Sequence, residues 1–124
     1  MNFRPRKIAV LGASPKKERY SNQLIRRLLS SGHQVFPVNP AFSTIEGLPV
    51  YKRVEDLPFG LDVLTIYMNA SRSASLADSL AATKIPKVVF NPGAENPDLE
   101  KRLKAQGTEA IEACSLILLD LNQL

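Results

Sequence analysis

The residue types with the clearest chemical use follow an apolar run near the start of the chain. Lys7-Ile8-Ala9-Val10-Leu11 leads directly into Gly12-Ala13-Ser14-Pro15-Lys16-Lys17, and Arg19 comes two residues later. A glycine at a strand end lets the backbone approach a ligand closely, and the free N–H groups of a following helix attract anions. The three cations add positive charge at the same place. This segment, residues 12–19, therefore predicts a phosphate loop, with an ordinary βα turn carrying solvated lysines as the alternative.

The phosphate loop departs from the fingerprint of dinucleotide-binding proteins. The pattern G-x-G-x-x-G starting at Gly12 would place glycines where Ser14 and Lys17 stand. The second apolar run ends in Asn39-Pro40, whereas NAD sites usually carry a carboxylate there for the ribose 2′-hydroxyl. An amide facing three cations suits an adenine nucleotide with an additional phosphate, such as coenzyme A (CoA) or NADP. Asn39 also has a structural alternative, because it can form an Asx-type turn before Pro40.

Residues for acid–base, nucleophilic or metal chemistry are sparse. Glu18 and Glu95 are the only acids in the loops expected near the site, and Ser14 has no base in sequence reach. His33 is the only histidine, so a multi-histidine metal centre is excluded. Cys114 is the only cysteine, which leaves packing at a strand end or a redox role. The sequence therefore predicts binding without catalysis, with no catalytic residue and no metal.

Strands and helices alternate along the whole chain. The predicted strands are 7–11, 34–38, 49–51, 61–67, 87–90 and 109–113. The predicted helices run from Ser21 or Asn22 to Gly32, from Asn69 or Ser71 to about Ala82, and from Asn96-Pro97 to Gly107, with one helical turn at 54–57. Right-handed crossovers then favour an α/β fold, an open parallel sheet of about five strands with helices on both faces. Residues 1–124 are predicted to form a single domain.

The unusual polar residues fall in loops that follow strands. In an open parallel sheet, the ligand crevice lies beyond the carboxyl ends of the strands. The loops at that edge are Gly12–Arg19, Asn39-Pro40, Met68–Arg72 and Asn91–Gly93. Arg19 would pair with a phosphate or remain a solvated loop residue, whereas Arg72 opposes the dipole of its helix and is better explained by a ligand. One long ligand would contact all four loops.

Composition excludes several other classes of protein. The hydrophobic fraction of 44% and the charged fraction of 23% are those of a soluble globular protein. The net charge is +4, but cations and acids are interleaved without an aromatic-rich basic stripe, so nucleic-acid binding is not expected. The longest apolar run, Leu116–Leu119, is far shorter than a membrane span. Met1-Asn2-Phe3-Arg4-Pro5 lacks the apolar core of a signal peptide, and a single cysteine fits the reducing cytoplasm.

Taken in order, several segments resemble the small CoA-binding proteins related to the CoA-binding domain of the succinyl-CoA synthetase alpha subunit. The landmarks are Gly12-Ala13-Ser14, Val38-Asn39-Pro40, Gly47-Leu48-Pro49-Val50-Tyr51, Leu57-Pro58 and Asp62-Val63, within a match from about Arg6 to Ser115. The resemblance implies a Rossmann-like domain that stands alone and binds CoA. The phosphorylated histidine of the synthetase belongs to a separate domain, so ligase activity is not implied.

The resemblance also implies a role for each part of the crevice. Ser14, Lys16 and Lys17 would contact phosphates, Val38-Asn39-Pro40 the adenosine, and the loop after Tyr67 the pantetheine, with Asn91-Pro92-Gly93 completing the wall. Lys16, Lys17 and Arg19 are the candidates for the 3′-phosphate of CoA. The candidate ligand-binding residues are Gly12, Ala13, Ser14, Lys16, Lys17, Arg19, Val38, Asn39, Pro40, Tyr67, Met68, Asn69, Arg72, Asn91, Pro92 and Gly93. The chain departs from many relatives at the far end of the ligand. These carry a tryptophan and a glutamine near Phe90 and Pro92, and an arginine in the segment that here reads Glu112-Ala113-Cys114.

Three functions follow from these patterns. The favoured hypothesis is binding of CoA or an acyl-CoA through the Gly-Ala-Ser loop, without catalysis by the chain itself. The alternative is an NADP- or other nucleotide-dependent enzyme or redox-sensing subunit completed by a partner chain. The third is a structural or regulatory subunit whose apolar tail, Leu116–Leu124, docks a partner, and association into a homo-oligomer is left open.

Overall fold

The computed structural model describes residues 3–124 and centres them on a parallel sheet. In chain order the strands are β1 (Lys7–Leu11), β2 (Gln34–Val38), β3 (Thr44–Ile45), β4 (Leu48–Pro49), β5 (Val63–Ile66), β6 (Lys87–Phe90) and β7 (Glu109–Glu112). Five of them form the sheet in the order β2-β1-β5-β6-β7, and β3 and β4 form a separate antiparallel hairpin. The predicted open parallel sheet of five strands is confirmed. Met1 and Asn2 lie outside the described residues. They belong to residues 1–5, from which no signal peptide was predicted.

Burial explains which strands are central. All of β5, and β1 after Lys7, are buried, as expected for strands covered by helices on both faces. In the parallel register, Leu11 pairs with Val38 on one side and with Ile66 on the other. The carboxyl ends of β1, β2 and β5 therefore lie side by side, and the loops that follow them share one edge.

Helices cover both faces of the sheet, as predicted. They are α1 (Tyr20–Ser30), α2 (Ala70–Ala74), α3 (Ala77–Ala82), α4 (Pro97–Ala105) and α5 (Ser115–Asp120), with a 3₁₀ turn at Val54–Asp56. α1 and α5 pack on one face, where Leu24 and Leu28 lie in the same core as Ile8. α3 and α4 pack on the other face, where Leu80 and Leu103 lie in a second core. The longest described helix has 11 residues, and none within residues 3–124 has the length and apolar character to cross a membrane.

The helix predicted from Asn69 or Ser71 to Ala82 is interrupted. Ser73 Oγ donates a hydrogen bond to Ala70 O at 3.3 Å, and Ser75 Oγ donates one to Arg72 O at 2.6 Å. Serine hydroxyls that bond to nearby carbonyl oxygens compete with the helical ladder. The chain accordingly leaves the helix at Ser75-Leu76 and begins again at Ala77, which brings Ser75 and Leu76 to the carboxyl edge of the sheet.

Three segments differ from what the sequence predicted. The predicted strand 49–51 is reduced to a β4 that ends at Pro49 and an isolated parallel bridge between Tyr51 and Val38. Residues 44–49 form the β3–β4 hairpin, and no strand was predicted from the sequence before residue 49 in this stretch. The apolar tail forms α5, whose Leu116, Leu118 and Leu119 pack against the core of this chain, while Ile117 and Leu121 remain exposed.

Candidate functional site

A cavity of about 690 Å³ opens at the carboxyl ends of β1, β2 and β5. It is lined by the phosphate loop, the segment after β2, the 3₁₀ turn and the segment between β5 and α3, which includes α2. We call it the edge pocket. Its volume is within the range of about 300–1,000 Å³ typical of cofactor and ligand sites. This is the edge that the sequence predicted for a ligand.

The edge pocket gathers eleven of the sixteen predicted ligand-binding residues. They are Gly12, Ala13, Ser14, Lys16, Arg19, Val38, Asn39, Pro40, Tyr67, Met68 and Arg72. Outside its lining lie Lys17, Asn69, Asn91, Pro92 and Gly93. Sequence reasoning missed the other lining residues, which are Leu11, Tyr20, Ser21, Phe42, Lys52, Arg53, Val54, Glu55, Ser75 and Leu76. The adjacent cations Lys52 and Arg53, directly after a landmark of the family resemblance, were the signal available for finding some of them.

A contact within the protein requires glycine at position 12. Its φ is +85°, and a Cβ atom at this position would lie 2.6 Å from Tyr67 O. The N–H groups of Gly12 and Ala13 both donate to Val38 O, at 3.1 and 3.3 Å. These two amides are therefore used to join β1 to β2, and the missing Cβ of Gly12 accommodates the backbone at the end of β5.

The N-terminus of α1 faces the edge pocket without a capping group. Arg19 occupies the N-cap position and makes no side-chain hydrogen bond to the first turn, which also contains no acidic residue. By contrast, Asn69 caps α2 and Asn96 caps α4 through their side-chain oxygens. Tyr20 and Ser21, in the first turn of α1, line the pocket. An uncapped helix start carries free N–H groups and partial positive charge, which favour an anion.

Five cationic side chains line the edge pocket. They are Lys16, Arg19, Lys52, Arg53 and Arg72, against one lining acid, Glu55. Arg53 pairs with Asp56 at 3.4 Å, and the hydrogen bond that Arg53 donates to Asp56 is the main reason that the pKa of Arg53 is raised. The other four form no ion pair within residues 3–124. Four unpaired cations around one cavity favour a polyanionic ligand.

Lys17 contacts the protein rather than the pocket. Its Nζ lies 3.2 Å from Glu46 Oε2, and Glu46 also accepts a hydrogen bond from Asn22 Nδ2 at 3.1 Å. The fully buried Asn22 donates to Ser14 O at 2.9 Å and accepts from Arg26 Nε at 2.8 Å. The hydrogen bonds that Glu46 accepts, first from Asn22 and then from Lys17, lower the pKa of Glu46. Together they fix the shape of the phosphate loop against α1 and the β3–β4 hairpin.

Asn39 lines the pocket but makes the Asx-type turn that was its structural alternative. Its Oδ1 accepts a hydrogen bond from Ala41 N–H, and its Nδ2 donates to Ala13 O, both at 2.8 Å. The side chain of Asn39 therefore ties the segment after β2 to the phosphate loop.

A buried polar network occupies the far end of the crevice. Asn91 is 2% exposed, and its Nδ2 donates to Thr65 Oγ1 at 2.7 Å and to Ile66 O at 2.9 Å. Its Oδ1 accepts from Ser115 N–H at 2.9 Å, so every polar atom of the amide is engaged within the protein. Burial is the main cause of the raised pKa of the neighbouring Tyr67. Asn91 thus joins β5, β6 and α5 through hydrogen bonds within the protein.

The remaining predicted residues outside the pocket have local partners as well. Asn69 Oδ1 accepts from Arg72 N–H at 3.0 Å as the cap of α2. Gly93 N–H donates to the two carboxylate oxygens of Glu95, at 3.0 and 3.2 Å. Pro92 is exposed beside them. Asn69, Pro92 and Gly93 therefore lie outside the lining of the edge pocket.

Glu112 is expected to make the stability of the protein depend on pH. Its hydrogen bond with Glu100, followed by the charge of Glu100, raises the pKa of Glu112 above its ordinary value of 4.5. A carboxyl group with a raised pKa in the folded state favours folding while it is protonated, and this contribution is lost as pH rises through the raised pKa. We therefore expect Glu112→Gln to raise the midpoint of thermal unfolding at pH 7 and to change it much less at pH 4.

The two midpoints are measured by calorimetry at each pH, with Glu109→Gln at the opposite end of β7 as the control. Equal effects of the Glu112 substitution at both pH values would contradict the carboxyl–carboxyl contact.

Comparison with known proteins shows the family to which this chain is similar. A family model described as a CoA binding domain matches residues 6–120. An uncharacterized protein of Bacillus subtilis, YneT, is 22% identical over 87% of this chain and 80% of its own length. ADP-forming acetate–CoA ligase I of Archaeoglobus fulgidus is 34% identical over 55% of this chain, but the matched stretch is 10% of the ligase. A crystal structure of an uncharacterized protein superposes with a TM-score of 0.92 at 30% identity, covering 98% of this chain and 100% of that one.

Proposed function

The chain belongs to the CoA-binding domain family, and on that premise we propose that it binds CoA or an acyl-CoA in the edge pocket without catalysing a reaction itself. The observation that carries the proposal is the uncapped, acid-free N-terminus of α1, which faces a pocket lined by five cations. CoA is a polyanion with a diphosphate and a further phosphate on its ribose, and such groups are suited to this charge.

Each part of the pocket has a role in the proposal. The diphosphate lies against the first turn of α1, Ser14 and the side chains of Lys16 and Arg19. The adenosine lies against Val38-Asn39-Pro40, and the pantetheine runs past Tyr67-Met68 toward Arg72. Gly12 and Ala13 support this site through the backbone, because Val38 O engages their amides. Pro92 and Gly93 border the far end of the ligand through their backbone.

The chemistry of the lining supports binding without catalysis. Among the described residues, Glu55 is the only carboxylate of the edge pocket, and no histidine or cysteine lines it. Acid–base or nucleophilic catalysis usually needs two such groups within hydrogen-bonding reach of each other. A single cysteine in the sequence supports a reducing, cytoplasmic site of action.

We expect CoA to stabilise the protein against heat. A ligand present at a hundred times its dissociation constant adds about 2.7 kcal/mol to the free energy of unfolding. For a chain of this length, the midpoint of thermal unfolding should rise by roughly 5–10 °C. Differential scanning fluorimetry with CoA, acetyl-CoA, NADPH and NADH measures this rise, and isothermal titration calorimetry gives the affinities.

Variants locate the binding site. Lys16→Ala and Arg19→Ala should each weaken CoA binding about fivefold, the upper range for an exposed charge pair. Lys101→Ala, which removes an exposed lysine of α4 away from the pocket, is the matched control and should leave the affinity unchanged. A larger shift with NADPH than with CoA would favour the nucleotide-dependent enzyme. The absence of any shift with all four ligands would refute the proposal.

A further inference from the structure

A second cationic segment reaches the edge pocket from beyond the edge strand β2. Asn39 N–H donates to Tyr51 O, and Tyr51 N–H donates to Pro37 O, both at 2.9 Å. These hydrogen bonds hold Tyr51 alongside the carboxyl end of β2. Lys52 and Arg53 follow immediately and line the pocket there, whereas Lys16 and Arg19 belong to the loop after β1.

The two cations of this segment differ in availability. Arg53 is engaged by Asp56, three residues along the 3₁₀ turn. Lys52 is exposed and forms no ion pair and no side-chain hydrogen bond to any of residues 3–124. Glu55 also lines the pocket, so its carboxylate opposes an anion bound at this end. Lys52 is therefore the free positive charge beside the end of β2.

Position in the sheet indicates which part of a nucleotide would meet this charge. In open parallel sheets that bind adenine dinucleotides, the diphosphate lies at the first helix and the ribose lies at the end of the second strand. A cation at that strand end accommodates a phosphate carried by the ribose. The candidates predicted from the sequence are placed elsewhere: Lys17 pairs with Glu46, and Lys16 and Arg19 lie at the start of α1.

We propose that Lys52 binds the phosphate group on the adenosine ribose of the ligand and thereby selects CoA over dephospho-CoA. The inference rests on the proposed function and goes beyond it, because it assigns selectivity to a segment outside the phosphate loop. Lys52 supplies a single ammonium group, which contacts a phosphate as a point charge without requiring the planar geometry of an arginine. Its neighbour Asn39, held by its own turn, lies at the position where the ribose would rest.

The test measures dissociation constants for CoA and dephospho-CoA by isothermal titration calorimetry. The unsubstituted protein should bind CoA about fivefold more tightly than dephospho-CoA, since an exposed charge pair contributes at most about that factor. Lys52→Ala should weaken CoA binding about fivefold and change dephospho-CoA binding less than about twofold. Lys52→Arg should retain the selectivity, and Glu55→Gln should strengthen CoA binding alone.

Controls separate this role from a general effect of charge. Lys16→Ala should weaken both ligands by the same factor, and Lys101→Ala should weaken neither. Unchanged thermal unfolding of each variant without ligand shows that it is folded. If Lys52→Ala weakens both ligands equally, or if the unsubstituted protein binds both equally well, the selectivity role is overturned while the proposed function stands. If the unsubstituted protein binds neither ligand, the proposed function itself fails.

Discussion

Gly12→Ala is expected to lower the free energy of unfolding by about 2–5 kcal/mol, as the sum of two costs. The first is the left-handed backbone at φ +85°, which costs a residue with a side chain about 1–2 kcal/mol. The second is steric, because the new Cβ atom would lie 2.6 Å from Tyr67 O and 3.0 Å from Tyr67 C. Tyr67 cannot move freely, since its N–H donates to Leu11 O at 2.9 Å. β1 and β5 would therefore have to separate.

Gly107→Ala is the matched control for this substitution. Gly107 has φ +91°, and a Cβ atom there would meet no other atom within 4 Å. It should therefore show only the backbone cost of about 1–2 kcal/mol. Urea denaturation of both variants gives their free energies of unfolding. The CoA affinity of the folded Gly12→Ala protein is measured separately. Equal destabilisation by the two substitutions would contradict the steric role of the Tyr67 backbone.

Asn91→Ala is expected to destabilise the protein by about 3–4 kcal/mol, because it removes three buried hydrogen bonds and leaves the N–H of Ser115 without a partner. Ile66 O loses a donor, Ser115 N–H loses its acceptor, and Thr65 Oγ1 loses one of its hydrogen bonds. At 2% exposure, Asn91 leaves no direct route for water to replace the amide. The CoA affinity of the folded variant should change less than about twofold, because Asn91 is buried outside the lining of the edge pocket and its amide is bonded within the protein.

Asn69→Ala gives the comparison for this prediction. Asn69 was predicted to contact the ligand as well, and in the structure it caps the exposed helix α2. Loss of such a cap typically costs about 1 kcal/mol, so the difference between the two variants should be clear in chemical denaturation. If Asn91→Ala instead weakens CoA binding strongly and leaves stability intact, Asn91 contacts the ligand and the buried network is not its main role.

The sheet could be predicted from sequence because its strands are marked locally. The runs 7–11, 34–38 and 87–90 have the predicted bounds, since each is a short apolar segment between polar or turn-forming residues. The helix after β5 was predicted as one piece because apolar spacing does not report hydroxyl groups that bond back to carbonyl oxygens. Ser73 and Ser75 make such bonds, and the helix ends there.

The candidate site was predictable where it follows the strand ends and not where it depends on contacts between distant residues. Arg19 and Arg72 line the edge pocket because they lie in the segments that follow β1 and β5 in the chain. Lys17 does not, because its partner Glu46 lies 29 residues away on a hairpin that the sequence did not reveal. Lys52 was missed because its position depends on the backbone pairing of Tyr51 with β2.

The hydrogen bonds of Asn22, which hold Ser14 and Glu46 in place, bear on the kinetics of association. A loop already ordered in the free protein loses little conformational entropy when a ligand arrives, so complex formation requires no slow rearrangement there. The rate of encounter is then governed by the long-range attraction between the five cations of the edge pocket and a diffusing polyanion. The association rate should consequently fall with rising ionic strength, because screening shortens the distance over which these charges act.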